Sequence, residues 1–126
     1  MSFFNKIFGS DDSKEQNTST SFWNMIESEE DLAQAVHKSF EKKVVIFKHS
    51  TRCHISKMVL KSFENEVAHS DKDVVYYFLD LISHRPISNK IADDFGVTHQ
   101  SPQMIVLENG KAVKDASHQS ISVNQI

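Results

Sequence analysis

The chain has 126 residues, 39% of them hydrophobic and 25% charged, with a formal net charge of −3. That length sets one domain able to bury a core without disulfide staples. Well-mixed charges exclude an electrostatic footprint for DNA or RNA, and no apolar run is long enough for a membrane-spanning helix.

Phe3, Phe4, Ile7 and Phe8 mark one face of a short N-terminal helix. The cluster is too short and too polar for a secretory signal, and Ser2 excludes N-myristoylation. Two readings stand for it: a handle that packs on the domain or frays, or a segment that docks a membrane or a partner. Residues 9–21, GSDDSKEQNTSTS, read as a polar linker. The domain proper is expected over 22–126.

Phe22 to Ile26 predicts a first strand. Ser28-Glu29-Glu30-Asp31 resembles a capping box, with a shorter acid than usual. Leu32, Val36 and Phe40 then form one stripe of a helix expected to end near Lys42. Val44 to Lys48 predicts a strand buried on both faces. Ile55, Met58, Val59, Phe63 and Val67 make the apolar face of a helix that begins at or near Cys53. Val74 to Leu79 predicts a third strand. Pro86 suits the first turn of another helix, Ile87, Ile91 and Phe95 its buried face, and Gly96 its C-terminal cap. Gln103 to Leu107 and Lys111 to Lys114 predict two strands joined by a type I′ turn at Asn109-Gly110. The tail from Ser117 carries no clear pattern, although Val123 and Ile126 suit the start of a last helix. The order predicts an α/β domain: parallel early strands joined by helical crossovers, an antiparallel last pair, and one mixed sheet covered by helices.

Cys53 is the only cysteine, so no internal disulfide forms. A reducing compartment, the cytoplasm, is the expectation. Its flanks, HSTRCHIS, are polar on both sides, which implies an exposed strand-to-helix turn. Unpaired N–H groups at the helix start, Arg52, and His54 when protonated all favour a thiolate. A stabilised thiolate is also a better leaving group when a second thiol attacks a mixed disulfide, which suits an exchange catalyst. Cys53-His54-Ile55-Ser56 is C-x-x-S, so only an external thiol resolves a mixed disulfide on Cys53. Ser56 either donates a hydrogen bond to the thiolate or is a solvated first-turn serine.

The seven histidines match no zinc spacing, and no metal is expected. His84 and His99 fall in loops; His99, just before a proline, is the better candidate to lie near the thiol, and a solvated loop histidine is the alternative for each.

Three motifs carry a family resemblance: T-x-C-x-I-S at Thr51, Cys53, Ile55 and Ser56; R-x-x-S at Arg85 and Ser88; and H-x-S-P-Q at His99, Ser101, Pro102 and Gln103. Over about Phe22 to Ser117 the chain resembles the YtxJ-like bacilliredoxins, monothiol members of the thioredoxin-like superfamily. The resemblance implies a thioredoxin-like mixed sheet of four to five strands with helices on both faces. It implies that Cys53 is the nucleophile and that Pro102 is a cis-proline facing it. Ser101 would offer its backbone to a docked disulfide. The implied activity is removal of bacillithiol from oxidised client proteins, with regeneration by a second small thiol or a partner reductase. Glutathione and coenzyme A are the other co-substrates considered. The partners expected are thiolated clients and a small thiol; nucleic acid and membrane are not expected, and a monomer is the default. The alternatives are a non-catalytic binding or stress protein and a glutaredoxin-like iron–sulfur carrier. The chain departs from the family pattern at His54, where proline is usual, and in a last helix that is expected to be cut short at Ile126.

Overall fold

The computed structural model describes residues 22–126, which fold into one five-stranded sheet and three α-helices. The strands are β1 (Trp23–Met25), β2 (Val44–His49), β3 (Val75–Asp80), β4 (Gln103–Glu108) and β5 (Lys111–Ser117). The helices are α1 (Glu29–Lys38), α2 (His54–Ala68) and α3 (Arg85–Phe95). Across the sheet the order is β1-β3-β2-β4-β5. β1 and β2 run parallel to β3, β4 runs antiparallel to β2, and β5 antiparallel to β4. The expected helical face at Phe3–Phe8 and the linker over 9–21 lie outside the described residues.

Strand alternation divides the core in two. Val44 and Ile46 of β2 pack on one face with Leu32 and Ala35 of α1 and Ile87 and Ile91 of α3. Val45 and Phe47 pack on the other with Val59 and Phe63 of α2. Phe63 is 1% exposed, a burial that stabilises the fold by about 2–3 kcal/mol. Trp23 clamps the edge of this face, stacking on Phe63 and donating from Nε1 to Glu64 Oε2 at 2.7 Å. Burial raises the Glu64 pKa, while the Trp23 bond opposes the shift.

Helix α1 starts as its sequence predicts: Ser28 Oγ accepts from the Asp31 N–H at 3.1 Å. The reciprocal bond lands one residue earlier than in a capping box, with the Glu27 N–H donating to Asp31 Oδ2 at 2.9 Å. The helix ends at Lys38, short of the expected Lys42, and Phe40 is 62% exposed instead of lining the core. Ser39 is the reason. Its carbonyl accepts from the Asn109 N–H at 2.8 Å and its Oγ accepts from the Gly110 N–H at 2.9 Å. The helix end thereby holds the β4–β5 turn, and the Phe40 ring lies over Gly110, where a Cβ would sit 2.8 Å from its tip. Asn109 and Gly110 have φ of 54° and 79°, as a type I′ turn requires.

Gly96 caps α3 in the left-handed conformation, as expected. Strand β5 runs to Ser117, three residues past its predicted end at Lys114. The tail forms two short 3-10 turns, His118–Ser120 and Val123–Gln125. Ile121, Val123 and Ile126 are buried on the α2 face. Glu66 of α2 anchors them, accepting from the Val123 N–H at 2.8 Å and from Ser122 Oγ at 3.0 Å. Three apolar residues scattered at no regular period pack without a regular helix, which is why the tail carried no pattern.

Candidate active site

The ends of β2 and β3 and the start of β4 meet at one edge of the sheet, because β2 and β3 run parallel and β4 opposes them. Cys53 follows β2 at this edge as the N-cap of α2, with φ −106° and ψ 120°. The sulfur belongs to a half-buried residue and is a free thiol. No side chain caps the helix, so its first N–H groups face the Cys53 end unclaimed by a side chain. The Cys53 N–H closes a turn onto the Ser50 carbonyl at 3.2 Å, and the Cys53 carbonyl accepts the Lys57 N–H at 3.1 Å. Thr51, Arg52 and His54 are exposed around it.

Ser56 does neither of the things its sequence position suggested. It is fully buried. Its Oγ accepts the Ser50 N–H at 3.1 Å and lies 2.8 Å from His49 Nδ1. The hydroxyl therefore joins the Ser50 main chain to the His49 ring in one buried network. Burial, the larger cause, holds the His49 pKa below its usual value against the pull of Asp80. The ring packs on Phe78, with centroids 5.5 Å apart. Ser56 is thus a clasp that ties the first turn of α2 to the loop carrying Cys53.

The Ser101–Pro102 peptide bond is cis. Pro102 is buried and Ser101 half-buried. Gln103 donates from Nε2 to the Thr98 carbonyl at 2.8 Å, pinning the loop that enters β4. His99, expected near the thiol, has three other neighbours: Nδ1 lies 3.1 Å from Lys48 Nζ and 3.3 Å from Ser88 Oγ, and Nε2 lies 3.4 Å from Arg85 Nη1. It is therefore not the solvated loop histidine that was the alternative. His84 is the N-cap residue of α3 and offers no side-chain cap.

Beyond Cys53, α2 and the C-terminal tail offer an apolar surface. Ile55 and Met58 are 44% and 60% exposed, and with Val59, Ser62, Gln119 and Ile121 they line an open groove of about 220 Å³. Among the described residues no group of three or more His, Cys, Asp or Glu is placed to hold a metal ion. No described helix is long and apolar enough to cross a membrane.

The family model described as monothiol bacilliredoxin BrxC matches residues 24–126. The chain belongs to the monothiol bacilliredoxin family. Among solved structures it is similar to a candidate oxidoreductase with a thioredoxin fold, at 27% identity and a TM-score of 0.73, covering 85% of this chain and 92% of that one. It is also similar to the thioredoxin of Malassezia sympodialis, at 21% identity and a TM-score of 0.62, covering 75% and 76% of the two chains. A thioredoxin of Schistosoma mansoni matches at 19% identity and a TM-score of 0.64, covering 78% and 84%. The two thioredoxins speak to the fold alone. This bacilliredoxin-family chain has the thioredoxin-like fold and a thiol redox function.

Sequence reasoning named Arg85, Ser88 and Gln103 only as letters of a motif and passed over Lys48. The structure gathers Lys48, Arg85 and Ser88 around His99, with Gln103 opposite Lys48 across the β2–β4 ladder. One signal was present: a lysine inside VVIFK, a strand predicted to be buried on both faces.

Proposed function

We propose that this protein is a monothiol thiol–disulfide oxidoreductase that strips a low-molecular-weight thiol, bacillithiol by its family, from oxidised proteins in the reducing cytoplasm. Cys53 attacks the small-thiol sulfur of a protein mixed disulfide. The bond between client and small thiol breaks, and a disulfide between Cys53 and the small thiol forms. The client leaves as a thiolate and takes a proton from water. With no second cysteine in the chain, an external thiol then attacks the adduct, leaving as a small disulfide and restoring Cys53.

The single observation that carries the reading is the position of the only cysteine: a free thiol at an uncapped helix N-terminus, at the edge where strand ends converge. The main-chain N–H groups of a helix start favour negative charge placed there, in the attacking and the leaving state alike. Ser101 and Pro102 form the entry to β4 at the same edge, where the Ser101 backbone serves as an edge for a docked client. The exposed Ile55 and Met58 supply an apolar footing for that client.

The test uses a single-cysteine model protein carrying the small thiol as a mixed disulfide. Wild type is expected to gain the adduct mass on Cys53 while the model protein returns to its free thiol. Cys53→Ser is expected to lose transfer altogether. Equal release with the Cys53→Ser protein would overturn the proposal.

A further inference from the structure

Lys48 is the only lysine, arginine or acid that is buried among the described residues, at 0% exposure. It forms no ion pair among them, and its hydrogen-bond partner there is His99 Nδ1. A charge in that setting normally has an opposite charge beside it. Here its neighbours add to the positive charge instead: burial first, and Arg85 second, lower its pKa to about 8. At pH 7 it is still mainly an ammonium, which donates and cannot accept.

That fixes the His99 ring. Burial, then Lys48 and Arg85, keep it neutral by pushing its pKa down. Lys48 Nζ is the nearer cationic donor, at 3.1 Å from Nδ1 against 3.4 Å from Arg85 Nη1 to Nε2, so Nδ1 is assigned as the acceptor and the ring proton to Nε2. Nε2 lies 3.4 Å from Arg85 Nη1, so two N–H donors face one another at the exposed end of the cluster. Donors so placed call for an acceptor, and three cationic or donor groups without an acid call for an anionic one.

A second, independent observation lies beside the cluster. Gln103 is 1% exposed and sits opposite Lys48 in the β2–β4 ladder. Its amide nitrogen is committed to Thr98, and its Oε1 has no partner. The Ser101 hydroxyl, two residues earlier in the chain, is also buried without a partner. Of these two atoms only the Ser101 hydroxyl can donate to an anion, since Gln103 Oε1 is an acceptor, so Ser101 is the free group that bears on a ligand here. The cluster is at the catalytic edge: Arg85 begins α3 just past the end of β3, and His99 and Ser101 precede β4, as Cys53 follows β2. In sheets of this kind ligands bind outside the carboxyl ends of parallel strands.

We propose that Arg85 and His99 bind a carboxylate of the small thiol exchanged at Cys53, with Lys48 acting from beneath as a positioning residue that holds His99 in its Nε2–H form. The proposal rests on the thiol-exchange reading for what arrives there, but the binding site is testable without exchange. Carboxylate oxygens accept from Arg85 Nη1 and His99 Nε2, and the ammonium of Lys48 adds its charge through the ring.

The test is a titration of the full chain with S-methylglutathione, which bears two carboxylates and no reactive sulfur, and with its dimethyl ester, which has lost both acids. Nitrogen and proton shifts of the His99 ring and the Arg85 guanidinium are followed at pH 7. The free acid is expected to move both sets of signals and to bind at least tenfold tighter than the ester. Arg85→Gln is expected to remove that preference. Lys48→Met is expected to weaken it severalfold and to mix the two His99 tautomers, a readout that a purely structural lysine would leave unmoved. Equal binding of acid and ester, or shifts confined to other residues, would overturn the proposal. Failure of the exchange reading shows separately, as absence of small-thiol transfer to Cys53 in a protein that still prefers the acid.

Discussion

Lys48 and His49 are neighbours in one strand, yet they serve two different environments. His49 points to the α2 face with Val45 and Phe47, and it is neutral, packed on Phe78 and satisfied by Ser56. Lys48 points to the face of α1 and α3 with Val44 and Ile46, and it is charged, buried and surrounded by further donors. The first environment is a closed polar network that shapes the loop carrying Cys53. The second is an open one with surplus donors. Closed networks rigidify a site, and open ones wait for a ligand. One strand thus delivers support and recognition to the same edge of the sheet.

The contrast breaks most readily on the closed side. Ser56→Ala strips both the His49 Nδ1 and the Ser50 N–H of their partner. Two buried polar groups left unsatisfied cost about 2–4 kcal/mol, which a denaturant titration reads as a lower midpoint. Transfer by Cys53 is expected to slow as well, because the loop loses its clasp.

The open side is expected to respond in the opposite sense. Lys48→Met removes a buried charge that has no counter-ion and keeps most of the volume. It is expected to stabilise the fold by about 1–3 kcal/mol at pH 7 while weakening carboxylate binding. Such opposite signs for stability and function distinguish a recognition residue from a structural one.

The pH dependence sharpens the same point. The Lys48 pKa is near its ordinary value of 10.5 when unfolded and about 8 when folded. Between about pH 8 and 10 the unfolded chain holds that proton and the folded one does not, so this group makes the fold more stable as pH rises. Below pH 8 both states hold the proton and the burial penalty is present in full. Unfolding curves of wild type and Lys48→Met are expected to differ in slope across that window and to run parallel between pH 6 and 7.

Ser88→Ala gives the smallest expected effect. Its Oγ only shares the Nδ1 already taken by Lys48, so stability should change by less than about 1 kcal/mol. A larger loss would mean that Ser88, and not Lys48, holds the His99 ring, which nitrogen shifts of that ring would show directly.

Much of this molecule was legible as a string of letters. The three helices, five strands, the Asn109-Gly110 turn and the Gly96 cap all rest on local chemistry, where period, branching and permitted φ act over a few residues. The single cysteine at a strand-to-helix junction was equally local. What went astray had distant causes. Helix α1 stops at Lys38 because Ser39 holds a turn at Gly110, 71 residues further along the chain. The tail folds without a helix because Glu66 and the α2 face receive it.

The site divides along the same line. That the chain has one thiol and no second cysteine to resolve a mixed disulfide on it followed from the sequence by itself, since counting cysteines does not depend on folding. That Lys48, Arg85, Ser88 and His99 act together was decided only by tertiary structure. Strand alternation sends Lys48 to one face and His49 to the other, and the antiparallel return of β4 brings His99 to the ends of β2 and β3. Residues 48 and 99 meet because a sheet closes chain distances that no local pattern spans.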